Sequence, residues 1–249
     1  MPTCMLIRHG RTTSNADGVL AGWTPGVGLD ERGRQQVQDL ADRLVPVPMV
    51  RLVTSPLQRC VETAGIIATV GDVAPEQEPR IGECRYGAWT GRPIKELAED
   101  PLWRVVQDQP SAARFPDSAD YEAESLQQMQ ARALEAVRDH DAAVRAEHGE
   151  HAVWALVSHG DVIKSVLADA AGAHLDQFQR FLAGPASLSA VHYAQRRPFV
   201  LRINDTGSDL SWLKPPEEGA AAGDDAVPEG DAAVGGGVGA DARGAEHAH

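Results

Sequence analysis

The sequence predicts an α/β protein, a three-layer α/β/α sandwich around a largely parallel central sheet. Two observations carry that expectation. Apolar runs at 3–7, 50–54 and 152–157 are each too short for a helix, and each precedes a stretch of helical period. Strands that alternate with helices build a parallel sheet covered on both faces. The same runs end in polar residues: Arg8-His9-Gly10, Thr54-Ser55 and Ser158-His159-Gly160. In such sheets ligands bind beyond the carboxyl ends of the strands.

The elements follow in order. Thr3 to Ile7 reads as a buried strand. Glu31 to Leu44 places Val37, Leu40, Ala41 and Leu44 at helical spacing, and Pro46 and Pro48 end it. Val50 to Thr54 is the second buried strand. Ser55-Pro56 then opens a helix, with Ser55 as N-cap and proline in the first turn. That helix carries Arg59, Glu62 and Thr63. Gly82 to Gly91 is loop-like. Ile94 to Val106 is helical in pattern, with Pro101 as an interruption or a fresh start. Glu124 to Glu147 is the longest helical pattern and stops at Gly149. Ala152 to Val157 is the third buried strand, and Val162 to Ala171 the helix after it. Leu188 to Tyr193 and Phe199 to Ile203 read as a final pair of strands.

Composition narrows the class. The chain has 249 residues with 23 basic and 36 acidic side chains, a formal charge of −13, and is 43% hydrophobic. A chain of this length buries a core without disulfide or metal staples. No run approaches the roughly 18 apolar residues of a membrane span. The first residues lack the basic start and apolar stretch of a signal peptide. Cys4, Cys60 and Cys84 form no C-x-x-C, which suits reduced thiols in a cytoplasm. The acidic balance argues against nucleic-acid binding, which depends on neutralising phosphates. Much of the charge sits at one end. Residues 215–249 hold eight acidic residues and one basic residue, Arg243, among Gly and Ala. Such a composition cannot offset its ordering entropy. The expected organisation is a folded domain over 1–214 and a disordered acidic Gly/Ala-rich tail over 215–249.

The strand ends carry the chemistry. A lone histidine is by default structural. His9, however, stands at a strand end between Arg8 and Gly10, with Arg11, Thr12, Thr13 and Asn15 just behind it. Gly10 permits close approach of a ligand, and the Arg, Thr and Asn side chains donate to anionic oxygens. His159 repeats the pattern, and the helix after it offers N–H groups to an anion. Arg59 lies on the helix leaving the second strand end. Two imidazoles and two guanidiniums at one sheet edge make a pocket for a phosphate dianion and for a phosphoryl group in transfer.

With these residues in view, Arg8-His9-Gly10-Arg11-Thr12 with Asn15 resembles the signature of the histidine phosphatase superfamily, the phosphoglycerate mutase-like proteins. Three further blocks occur in that family's order. They are Thr54 to Ala64, Glu83 to Gly91 (Glu-Cys-Arg-Tyr-Gly-Ala-Trp-Thr-Gly) and Val157 to Gly160. Within the superfamily the chain resembles an actinobacterial branch that bears a phosphomutase label. The resemblance implies a phosphoglycerate mutase-like fold and a role for each matching residue. His9 would be the nucleophile that forms a phosphohistidine. Arg8, Arg59 and His159 would surround the phosphate. Glu83 would protonate the leaving oxygen. Asn15, Gly22 and Gly160 would contact the substrate. No metal and no cofactor is implied. The partner is a small phosphorylated substrate, and a homo-oligomer stays open.

The departures favour hydrolysis. The glycolytic mutases place a lysine where this chain has Ile94, with Lys95 one place off. They also place paired arginines where Gln107 to Glu124 holds only Arg114. Asp117, Asp120 and Glu122 before Ala123-Glu124-Ser125 form an acidic lip that disfavours highly anionic substrates. Lys164 stands where an arginine is common. The reading favoured is a phosphomonoester hydrolase. A phosphomutase and a non-catalytic phospho-ligand binder are the alternatives. Trp23, Trp89 and Trp103 are candidates to wall the substrate pocket, with packing as their default. Gly26-x-Gly28 reads as a turn, Cys84 as a bystander thiol, and the remaining histidines show no metal-ligand spacing.

Overall fold

A computed structural model describes residues 2–207. The expectations for the 213–215 boundary and the tail over 215–249 lie outside the described residues.

The chain runs β1 (Thr3–Arg8), α1 (Thr13–Ala16), α2 (Glu31–Leu44), β2 (Met49–Thr54), α3 (Gln58–Gly71), β3 (Pro75–Gln77), α4 (Ile94–Leu97) and α5 (Pro101–Asp108). It continues through α6 (Leu126–His148), β4 (Val153–Ser158), α7 (Gly160–Ala170), β5 (Leu188–Tyr193) and β6 (Pro198–Asp205). The six strands form one sheet in the order β3-β2-β4-β1-β5-β6. The first four in that order are parallel, and β5 and β6 are antiparallel additions at one edge. The sheet is therefore mixed, with the parallel part central to the strand ends that matter.

Side-chain alternation divides the core between two faces. Met5 and Ile7 of β1 pack with Val37, Leu40 and Leu44 of α2 and with Cys60, Ala64 and Ile67 of α3. Cys4 and Leu6 point the other way, with Trp154 and Leu156 of β4, onto α6 and α7. Leu126, Met129, Ala133, Ala136, Val137 and Val144, at helical spacing along α6, are all buried there. Ser125 caps that helix reciprocally with Gln128, which is why it begins at Leu126.

The predicted strands all form. The helix over 94–106 is two pieces, α4 and α5, because Pro101 starts a new helix capped by Asp100. Ser55 does not cap α3. The helix begins at Gln58 behind Leu57, which makes no side-chain cap, and the Ser55 hydroxyl is held by His159. β3 had no sequence signal: Pro75-Glu76-Gln77 is exposed and lies in the sheet only through backbone pairing with β2.

Registers bring the three polar strand ends to one edge. Arg8 of β1 lies beside Ser158 of β4, and Thr54 of β2 beside Val157. The chain leaving β1 nests against α2, and two glycines make room for it. A Cβ on Gly10 would come within 2.5 Å of the Gly33 carbonyl oxygen, and one on Gly33 would overlap Arg11.

Candidate active site

His9 follows β1 directly and is buried. Its Nδ1 lies 2.7 Å from the Gly10 carbonyl oxygen, and Arg59 Nε lies 3.2 Å from its Nε2. A carbonyl only accepts and a guanidinium only donates. The two partners thus fix the tautomer: Nδ1 carries the proton and Nε2 carries the lone pair. Burial, then Arg59 and Arg8, push its proton affinity well below the ordinary histidine range. His9 is a neutral imidazole with its nucleophilic nitrogen facing a guanidinium.

The supports of that geometry are local. Thr63 Oγ1 donates to the Arg59 carbonyl, one turn back, and accepts from Gly10 N–H. This couples α3 to the loop after His9. Arg59 Nη2 also donates to the Gly22 carbonyl at 2.9 Å. Gly22 is buried with φ +49°, and a Cβ there would crowd Tyr86 and Thr90. Arg8, fully buried, donates from Nη1 to the Ala183 carbonyl, and burial lowers its pKa to about 10.

His159 caps α7 and is fully buried. Its ring meets that of His9 edge-on, with centroids 5.3 Å apart. Nε2 lies 2.8 Å from Ser55 Oγ, and Nδ1 lies 3.9 Å from Glu83 Oε2. Burial and the neighbouring Arg59 keep it neutral below the usual range. Glu83 is buried too. Its Oε1 accepts from Cys84 N–H at 2.9 Å. Burial and the carboxylate of Asp161 raise its pKa to about 7, against the opposing pull of Arg59 and Arg8. Near neutrality Glu83 holds a proton that it can give up.

The structure thus brings Arg8, His9, Gly22, Arg59, Glu83 and His159 together, with Gly160 as the first residue of α7. Asn15 is tied locally. Its Oδ1 accepts from both Thr12 N–H and Thr12 Oγ1–H in a capping box, which leaves its amide NH2 as the group it could offer a ligand. Trp89 and Trp103 are buried. They stack in the core, where the space beside Phe115 is apolar. Trp23 does line a cavity.

Residue-by-residue reading passed over several supports. Arg132 of α6 donates to the carbonyls of Arg80, Gly82 and Glu83 and pairs with buried Glu124 at 2.5 Å. Nothing in the pattern of α6 marks it among the other charged residues. Asp161, fully buried in the first turn of α7, accepts from Tyr86 O–H at 2.7 Å and pairs with Lys164 at 2.8 Å. Lys164, where an arginine was the expected residue, bonds Gln179 and lies over the Phe178 ring. Tyr86 lies three residues after Glu83 and Asp161 two after His159, so this chain of bonds joins the two halves of the site.

A neutral imidazole, a carboxyl with a raised pKa and two guanidiniums in a buried pocket have the chemistry that phosphoryl transfer through nitrogen requires. The comparisons agree at the level of family. The sequence pattern of the histidine phosphatase superfamily (branch 1) matches residues 4–206, and the chain belongs to that family. It is 28% identical over 207 residues to phosphoserine phosphatase 1 of Hydrogenobacter thermophilus, covering 83% of this chain and 93% of the relative. It is 27% identical over 213 residues to a protein of Erwinia tasmaniensis named "Probable phosphoglycerate mutase GpmB", covering 84% and 94%. The structure of Bacillus stearothermophilus YhfR superposes with a TM-score of 0.72 at 27% identity, covering 82% and 98%.

Proposed function

We propose that this protein is a phosphomonoester hydrolase that acts on a small phosphorylated metabolite through a phosphohistidine on His9. The observation that carries the reading is the pairing of His9 and Glu83. The Nε2 of His9 has a lone pair, and Glu83 retains its proton near neutral pH.

The reaction follows from those states. The His9 Nε2 lone pair attacks phosphorus as the ester P–O bond breaks. Glu83 gives its proton to the departing alkoxide, so a neutral alcohol leaves. Arg8 and Arg59 stabilise the charge that spreads over the equatorial oxygens. As the P–N bond forms, the Arg59 N–H now aimed at Nε2 turns to a phosphoryl oxygen. In the second step the Glu83 carboxylate takes a proton from water. That water attacks phosphorus, the P–N bond breaks, and inorganic phosphate forms with His9 neutral again. Asn15 and Gly160 N–H are assigned to the phosphate oxygens.

Hydrolysis is favoured over mutase chemistry by the state of the two cations nearest the positions where a mutase would hold a second phosphate. Lys95 is exposed on α4, and Arg114 is exposed and engaged with Gln128 and Asp117. The phosphoserine phosphatase name of one relative fits this reading, and the mutase name of another fits the alternative. The test is release of phosphate from para-nitrophenyl phosphate and a panel of metabolite phosphates in EDTA, with wild type beside His9→Ala. Release that falls at least ~10³-fold in the variant supports the reading, since nucleophile loss typically costs that much or more. No release from any ester overturns it. An isomerisation assay primed with a bisphosphorylated sugar acid then separates a mutase from a binding protein.

A further inference from the structure

A cavity of about 260 Å³ lies beside the loop that carries Glu83, lined by Trp23, Arg85, Asp120, Tyr121 and Glu122. Two bonds attach it to the chemistry. Trp23 Nε1 donates to the Glu83 carbonyl at 2.6 Å, and Arg59, which faces His9, donates to Gly22, the residue before Trp23. Arg85 follows Glu83 by two residues. The cavity therefore borders the loop that carries Glu83.

Its walls have a definite chemistry. Trp23 and Tyr121 supply aromatic faces. The single cation, Arg85, is already engaged: its guanidinium lies 5.4 Å from the Trp23 ring centroid, and its Nε is 2.9 Å from Glu122. Asp120 has no cationic partner among the described residues. The phosphate end of the site has the reverse polarity, with Arg8 and Arg59. Aromatic faces beside a carboxylate are what an organic cation seeks. A dipolar substrate, phosphate at one end and cation at the other, matches the field along the whole site.

We infer that the cavity selects phosphomonoesters whose leaving alcohol carries a cationic nitrogen, with Asp120 as the specificity-determining carboxylate. The inference rests on the hydrolase reading of the same site. An additional anionic group on the leaving alcohol meets Asp120 and Glu122 and is disfavoured.

The test compares phosphocholine with 3,3-dimethylbutyl phosphate, its uncharged carbon isostere. The two share shape and phosphate, so the ratio of their kcat/KM values isolates the charge. Wild type should prefer phosphocholine by about tenfold, the scale of one carboxylate–cation contact at a partly exposed site. In Asp120→Asn the ratio should fall to within about twofold of unity. Asp120 is exposed in a loop, so folding is not at stake. A wild-type ratio at or below one, or a ratio unmoved in Asp120→Asn, overturns the inference. If para-nitrophenyl phosphate is not hydrolysed either, the hydrolase reading fails on its own. Calorimetric binding of the same two esters to His9→Ala then decides the cavity: tighter binding of phosphocholine sustains it, and equal binding or tighter binding of the isostere overturns it.

Discussion

Glu83 and Asp161 are two carboxyl groups buried in one pocket, and only one is placed to donate a proton. Asp161 is held by Tyr86 O–H and Lys164, while Glu83 has a backbone N–H and faces His159. Since Glu83 must carry its proton to act as an acid, kcat/KM should fall as pH rises through about 7. His9 must be neutral to attack, and its depressed proton affinity puts the acid limb below the ordinary histidine range. A pH profile from 4 to 9 should therefore be bell-shaped, and a flat one contradicts these assignments. Asp161→Asn removes the negative neighbour, so the basic limb should move down by about one pH unit. A limb that stays in place would show that burial alone tunes Glu83. Ser55 carries a different role from the one its sequence context suggested. Reading Ser55-Pro56 as a helix start was reasonable chemistry, but Ser55 Oγ accepts from Leu57 N–H, ahead of the helix, and across the sheet His159 Nε2 orients the hydroxyl. A long-range contact of this kind is invisible to local pattern. Ser55→Ala should cost about 1–3 kcal/mol of stability by leaving His159 Nε2 short of a partner, and should lower kcat more than it raises KM.

At the scale of elements, the candidate site residues were legible because the two histidines stand at strand ends beside glycines, where a short motif and a change of polarity coincide. Their supports come from helices whose job in the sequence looks like packing. Arg132 is the clearest case. From α6 it binds three consecutive parts of the Glu83 loop through backbone carbonyls, which have no sequence signature. Arg132→Met should destabilise the protein by about 3–5 kcal/mol, because it strands buried Glu124. Thermal melts would register that loss. The same variant should lose kcat at temperatures where it is fully folded, and retained kcat would mean that the loop holds its shape without α6. β3 was missed for the related reason that its three exposed residues are strand-like only by backbone pairing.

For the whole molecule, the site is built at some cost in stability. Glu83 in the fold holds its proton up to about 7, against an ordinary carboxyl near 4.5. Below about 4.5 the group is protonated folded or unfolded, and its raised affinity favours the fold. That contribution is lost as pH rises through 7, where the folded protein must bury a charge. Glu83→Gln should therefore be the more stable form above pH 7, by up to about 3 kcal/mol, with the difference vanishing toward pH 4. Melting temperatures of the two forms across pH 4–8 would show it, and a constant difference would contradict it. Three-layer order was legible from the alternation of strands and helices. The antiparallel β5–β6 edge was readable as a pair of strands but not as an orientation, since the apolar residues of a strand fall at the same spacing whichever way it runs.

The central claim is a phosphorylated His9. The most direct measurement is a rapid acid-free quench of wild type mixed with a ³²P-labelled phosphomonoester, beside His9→Ala and Glu83→Gln. The label should appear on wild-type protein within one turnover, resist alkali, be lost in acid, and be absent from His9→Ala. Phosphate release without any labelled protein, or label that persists in His9→Ala, would contradict the account.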